Sequence, residues 1–475
     1  MKLKSLGLTN FRGFERLDID FDERLTVIAG VNGVGKSTIL QAIAIAYSHS
    51  LQEFTISREK PLPVIDADIQ QGKSICIIEM ESNGLGAASL ITFLSKESLD
   101  KGEKLALGLK QSQMKKDLTL LEKGSPDYKN LKNEITWIDK RLEGNFEKRL
   151  NWLFTDTHES EARLKRYLKS SPTQALVVYY STHRLLSRLP PKLQGTLPFN
   201  QAAAFSKSLT QLEISLNEFA KWHRAMGSTR MIRKDSEHSS RILKRILKLL
   251  QEAISGLIPQ IKEFWFHEEN PPRYSVMKDA TMDEHFNGKQ AGKQLFLEQL
   301  SDGERGLIAL LFDLTRRLAI ANPNSENPIA EGEALVLIDE VELHLHPKWQ
   351  RDVLHRLRDT FRSCQFVVTT HSPQVLGEVE AKCVRFLEYL DDKVSVTIPA
   401  EAYGIDSNRI LQEFMGTPIR NQQTDSELKT IFELIDRERF DDARAAMLSF
   451  ENKDRSSEPE LTRARSLIRF LEGKV

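Results

Sequence analysis

The stretch Gly30-Val31-Asn32-Gly33-Val34-Gly35-Lys36-Ser37 sets glycines, a lysine and a hydroxyl at the spacing Gly-x-x-x-x-Gly-Lys-Ser. Bare glycines let backbone amides wrap around phosphate oxygens, and a helix starting at that point turns its positive end toward them. Lys36 has the reach for β and γ phosphates, and the Ser37 hydroxyl is a hard oxygen ligand suited to Mg²⁺. An acidic pair, Asp339-Glu340, ends the apolar run Ala334-Leu335-Val336-Leu337-Ile338. Beside a phosphate loop, Asp339 can hold Mg²⁺ through its outer shell and Glu340 can polarise the attacking water as general base. His371 closes another apolar run, Gln365-Phe366-Val367-Val368-Thr369-Thr370. There an imidazole can hydrogen-bond a γ-phosphate, although such a histidine standing alone would be a solvated loop residue. This pattern predicts a P-loop ATPase using ATP and Mg²⁺. The nucleotide contacts would come from Asn32, Gly33, Gly35, Lys36, Ser37 and Thr38, the metal contacts from Ser37 and Asp339, and the catalytic groups from Glu340, Lys36 and His371.

A second glycine-centred element, Leu300-Ser301-Asp302-Gly303-Glu304-Arg305, lies far along the chain. Ser301 and Glu304 have the spacing of a capping box ahead of the apolar run Leu307-Ile308-Ala309-Leu310-Leu311-Phe312, which accounts for a helix starting there. A glycine in the first turn weakens that helix, so Gly303 implies a close backbone approach, and a helix end with a serine and a bare amide can also receive an anion. Glu342-Leu343-His344-Leu345-His346-Pro347 offers a carboxylate and two histidines. It lacks a third and fourth ligand at metal spacing and reads as a structural or interface loop. Arg241, Lys244, Arg245 and Lys248 share one face of an amphipathic helix opposite Ile242, Leu243, Ile246 and Leu247. They are candidate DNA phosphate contacts, with a plain solvated face as the alternative.

The elements that must position these groups follow from pattern. Strands over the first thirty residues end in Leu25-Thr26-Val27-Ile28-Ala29, and the helix Thr38-Ile39-Leu40-Gln41-Ala42-Ile43-Ala44 follows the loop. The runs around Ile75 to Met80 and Ala88 to Leu94 are strands joined near the Asn83-Gly84 turn signal. Residues 97–175 read as a charged helical insertion, 176–290 as a helical lobe with intervening strands, and 401–475 as a helical C-terminal extension. The ATPase head would then be assembled from 1–96, with the phosphate loop, and 291–400, with the glycine turn, the acidic pair and the strand-end histidine. Asp391-Asp392-Lys393 reads as a hairpin turn. The expected fold is α/β, a mixed sheet with helical insertions. The chain has 475 residues, with 67 basic and 67 acidic side chains, so any nucleic-acid contact must come from a local patch. Cys76, Cys364 and Cys383 have neither metal spacing nor an even count, which points to a reducing cytoplasm. The start lacks the continuous apolar core of a secretion signal, and no apolar run is long enough to span a bilayer.

In order along the chain, Asn10-Phe11-Arg12, the phosphate loop, the Ser301–Arg305 turn, the acidic pair and His371 resemble the ABC-type ATPase heads of the SMC, RecF and OLD families over residues 1–95 and about 295–390. That resemblance implies that Ser301 and Gly303 of one chain close the ATP site of another in a dimer or larger oligomer, and that Arg12 approaches nucleotide phosphates. The Q-loop glutamine of these families has no clear match, and Tyr180-Ser181-Thr182-His183-Arg184 stands in its region. The C-terminal Ala402-Tyr403-Gly404-Ile405-Asp406-Ser407-Asn408-Arg409-Ile410-Leu411 and the helical stretch after it resemble the PtuA ATPases of Septu and some retron anti-phage systems. That likeness implies a defence ATPase controlling a separately encoded HNH nuclease, PtuB, with no nuclease site of its own. The C-terminal helices are then the candidate dock, with a structural cap on the head as the alternative, and a retron reverse transcriptase with its msDNA are candidate partners. The alternatives are a RecF- or SMC-like repair ATPase without a nuclease partner, and a scaffold whose ATP is scarcely hydrolysed.

Overall fold

The computed structural model describes residues 2–73, 75–83, 87–94, 101–120, 149–154, 168–193, 200–210, 213–228, 236–267, 271–279, 292–390, 393–417, 420–451 and 458–472, with positions 131, 132, 135, 138 and 269 besides. The chain divides into two compact units, Met1–Ile405 and Asp406–Val475.

In the first unit the strands are β1 (Lys2–Phe11), β2 (Phe14–Asp20), β3 (Leu25–Gly30), β4 (Ile75–Asn83), β5 (Ala87–Leu94), β6 (Arg149–Phe154), β7 (Leu176–Tyr180), β8 (Leu185–Leu186), β9 (Glu213–Ile214), β10 (Ile261–His267), β11 (Arg273–Lys278), β12 (Lys293–Phe296), β13 (Ala334–Ile338), β14 (Gln365–Thr369), β15 (Val384–Leu390) and β16 (Lys393–Thr397). The principal helices are α1 (Lys36–Phe54), α2 (Lys101–Leu120), α3 (Leu216–Ser228), α4 (Ser236–Leu257), α5 (Asp302–Ala321) and α6 (Pro347–Thr360). Among the described residues a six-stranded mixed sheet runs in the order β16-β15-β3-β14-β13-β7, parallel except for β16. Its strands β3, β14 and β13, and the edge strand β7, are buried at every position, which is why they read as continuous apolar runs. The register pairs Gly30 with Leu387, Ile28 with Thr369, and Ile338 with both Val368 and Tyr180. The phosphate loop, Asp339, His371 and the Ser181 segment therefore leave the sheet along one edge, where open α/β sheets bind ligands.

An antiparallel sheet, β2-β1-β4-β5-β6, and a smaller one, β10-β11-β12, complete the strand layers. Helix α1 packs against β7 and β14 of the large sheet and against β4 of the antiparallel one. Two expectations change. The insertion at 97–175 is not purely helical, because Arg149–Phe154 extends the antiparallel sheet beside β5. The run at 176–180, assigned from the sequence to the helical lobe, is the edge strand of the nucleotide sheet beside β13. Asn83 ends β4, while Gly84 and Asp391-Asp392 lie outside the described residues, although the strands flanking them pair.

Helix α5 is buried along most of its length and carries charge into the core. Asp313 accepts from Arg317 Nε at 2.7 Å, from Arg316 at 2.9 Å and from the Tyr180 hydroxyl at 3.1 Å. Arg316 also pairs with Glu218 of α3 at 3.0 Å. Burial pushes the Asp313 carboxyl up, but Arg317 and Arg316 outweigh it and hold the pKa below the ordinary value of 3.8. The contribution of this network is therefore complete at neutral pH and is lost only as the pH falls below that value. Asp313→Ala leaves two guanidinium groups buried without their shared partner, an expected cost of about 3–5 kcal/mol. Chemical denaturation of the variant measures that loss, and an unchanged midpoint would show that water or Glu218 takes over.

The second unit is helical, comprising α7 (Ser407–Glu413), α8 (Gln422–Asp436), α9 (Phe440–Glu451) and α10 (Pro459–Leu471). Its own core is formed by Leu428, Ile431, Ile435, Met447, Phe450, Leu461 and Ile468 with small residues between them. Among the described residues, no helix is long and apolar enough to cross a membrane. All three cysteines are buried free thiols.

Candidate functional site

The loop after β3 is shaped from within. Gly35 is the N-cap of α1 at φ 103°, and a Cβ there would lie 2.4 Å from the Phe14 ring, so both its dihedral and its packing demand glycine. Gly33, at φ 82°, has open space where a Cβ would stand. The first turn of α1 carries no acidic residue and no side chain caps it, which leaves its amides to an anion. Lys36 is buried and curls over the loop, its Nζ donating to the carbonyls of Gly30 at 2.9 Å and Val31 at 2.8 Å. Burial lowers its pKa to about 8, against the opposing pull of Asp339, Glu340 and Glu342.

The two halves of the site meet at one oxygen. Asp339 Oδ1 accepts from Ser37 Oγ at 2.9 Å and from Thr369 Oγ1 at 2.6 Å. A serine hydroxyl and a carboxylate in contact form an oxygen donor set of the kind a hard divalent cation takes. Glu340 follows with φ 47°, in the left-handed region that a glutamate enters only when its surroundings hold it there. Its amide donates to Thr369 Oγ1 at 2.8 Å, and the amide of Asp339 donates to the Tyr180 carbonyl at 2.9 Å.

His371 is half-buried beyond β14, and burial and the Lys36 charge together lower its pKa, so the imidazole is neutral at pH 7. Its amide donates to Glu342 Oε1 at 2.6 Å, and Thr370 Oγ1 donates to Glu342 Oε2 at 2.8 Å. Glu342 thus fastens the histidine turn. His346 caps α6, its Nδ1 accepting from the amide of Lys348 at 3.2 Å. No group of three or more His, Cys, Asp or Glu able to hold a metal occurs among the described residues.

Arg12 stands at φ 50° and is committed to Asp68 at 2.8 Å and to the Gln41 side chain on α1. Ser301 is exposed and forms the expected capping box. Its Oγ accepts from the amide of Glu304 at 3.3 Å and donates to Glu304 Oε2 at 2.8 Å, while Lys278 holds the other carboxylate oxygen at 2.8 Å. The close approach that Gly303 implied is internal to the chain, since a Cβ there would lie 2.4 Å from the carbonyl oxygen of His344. Gly303→Ala is accordingly expected to cost about 1–3 kcal/mol and to displace the loop after the acidic pair. A thermal melt checks this, and an unchanged midpoint would mean that the His344 carbonyl yields freely.

On α4, Lys244, Arg245 and Lys248 are exposed, but Arg245 pairs with Glu326 at 2.8 Å and Lys248 with Glu252 at 3.7 Å, so the face is partly neutralised. The side chain of Arg241 lies outside those described. The structure thus brings Lys36, Ser37, Asp339, Glu340 and His371 together, and ties Arg12 to Gln41 on the same helix as Ser37. Sequence reasoning missed Thr369 and the role of Arg184. Thr369 was visible only as the last polar residue of an apolar strand.

Residues 1–376 match the family described as AAA ATPase domain. The chain is 25% identical over 401 residues to the protein named Retron Ec83 probable ATPase of Escherichia coli, covering 82% of this chain and 72% of that one. It is 27% identical over 418 residues to Retron Vc95 probable ATPase of Vibrio cholerae serotype O1 biovar El Tor, covering 84% and 76%. To Septu protein PtuA of Bacillus thuringiensis it is 29% identical over 157 residues, covering 31% and 38%.

Proposed function

The chain belongs to the family of AAA ATPase domains, and from that premise we propose that it binds and hydrolyses ATP at the Gly30–Ser37 loop and controls a nuclease partner in anti-phage defence. The observation that carries the ATPase reading is the contact of Ser37 Oγ with Asp339 Oδ1 at 2.9 Å, which joins the phosphate loop to the acidic turn. Lys36 leaves the carbonyls of Gly30 and Val31 for the phosphates, and the open side of Gly33 admits them. Ser37 and Asp339 would hold Mg²⁺, which when bound would neutralise charge on the phosphate oxygens. Glu340 takes the proton of the attacking water, and neutral His371 offers a hydrogen bond to the terminal phosphate.

Two chains pair around nucleotide, with exposed Ser301 exchanging its bond to Glu304 for the partner's phosphate. The retron and Septu names of the relatives support a bacterial defence setting, in which this assembly governs a separately encoded HNH nuclease of the PtuB kind acting on nucleic acid. The 406–475 unit is the proposed dock for that nuclease. Lys244 and its neighbours on α4 are the proposed nucleic-acid face. Phage plating on a host carrying the gene with its neighbours tests the setting. Fewer plaques than on the empty host, restored by Lys36→Ala, are expected. Equal plating in all three hosts would sink the defence reading and leave ATP turnover standing.

A further inference from the structure

Arg184 lies beyond the end of β7 and is buried, with 9% of its surface exposed. Its guanidinium donates to the Ser181 carbonyl at 3.2 Å, to the Asp339 carbonyl, and to the Glu340 carbonyl at 2.6 Å. Those last two carbonyls belong to the turn in which Glu340 stands at φ 47°. Thr369 Oγ1 holds the same turn through the amide of Glu340 at 2.8 Å. A cavity of about 220 Å³ is lined by Arg184 together with Asp302, Arg305 and Gly306 at the start of α5. The planar fork of a guanidinium can address two neighbouring carbonyls at once, which a lysine ammonium does less well.

We infer that Arg184 is a positioning residue for Glu340, fixing the strained Asp339-Glu340 turn through its two carbonyls so that the carboxylate is aimed at the attacking water. This rests on the hydrolytic reading above. Burial pulls the pKa of Arg184 down, and the charges of Glu342, Asp339 and Glu340 offset only part of that pull.

The test is ATP turnover, ATP affinity and melting temperature for wild type, Arg184→Gln and Arg184→Lys, with a crystal structure of Arg184→Gln. A displaced general base predicts a fall in kcat of about 100-fold in Arg184→Gln at nearly unchanged ATP affinity, beside a lowered melting temperature from the carbonyls it leaves unpaired. Arg184→Lys, which keeps the charge but not the fork, should fall between. The crystal structure should show Glu340 relaxed out of the left-handed region. A kcat within threefold of wild type in both variants overturns the inference. If Arg184→Gln does not fold, Arg184→Lys decides by the same split of kcat from affinity. If the wild type hydrolyses no ATP, the hydrolytic reading fails separately. The structure then decides: an unmoved turn with Glu340 still at positive φ overturns the positioning role, and a relaxed turn upholds it.

Discussion

Glu340→Gln will slow ATP turnover by about 10²–10⁴-fold, the range that positioned acid–base groups supply, while ATP continues to bind. The glutamine is isosteric and keeps the backbone bonds that define the turn, from the amide of Glu340 to Thr369 and from Arg184 to its carbonyl. What it removes is the basic oxygen. Because binding depends on Lys36, Ser37 and the loop amides, the variant should hold ATP and trap the loaded state. Rapid-mixing phosphate release together with nucleotide retention on a filter separates the two steps. Turnover at the wild-type rate would remove Glu340 from the chemistry and leave the acidic turn a purely structural corner.

Lys36→Ala will lose ATP binding itself. An ammonium bonded to phosphate oxygens in a buried loop contributes about 3 kcal/mol, roughly a hundredfold in affinity. In the nucleotide-free chain that ammonium is satisfied by the carbonyls of Gly30 and Val31. Its removal therefore spares the fold relative to its effect on the ligand. Calorimetric titration with ATP and Mg²⁺ should show no resolved binding beside a melting temperature close to wild type. Retained affinity would show that the loop amides and Ser37 suffice.

The phosphate loop and the acidic pair were legible because their chemistry is compressed into short stretches beside apolar strands. The strand from Ala334 to Ile338 is buried at every position, and its sequence says so. The edge position of β7 was harder to read, because Leu176 to Tyr180 carries the same pattern whichever strand it joins, and only the pairing of Tyr180 with Ile338 settles it. The strand Arg149–Phe154 was hidden by the charged helical composition around it. The glycine turn was half legible. Its capping box is there as spaced, but the neighbour that demands Gly303 is the His344 carbonyl, about forty residues away in the chain and brought close only by the fold. Arg184 escaped for the same reason, since its partners are backbone carbonyls, which leave no trace in residue types.

We propose that nucleotide bound at this site joins two chains through the exposed Ser301. The solution mass of Glu340→Gln, with and without ATP and Mg²⁺, tests it most directly when set beside the double variant that adds Ser301→Arg. Nucleotide should shift the single variant to a dimer or larger assembly, and the added arginine should abolish that shift while leaving ATP bound. A mass indifferent to nucleotide in both proteins would contradict the claim and leave ATP a local ligand of a constitutive assembly.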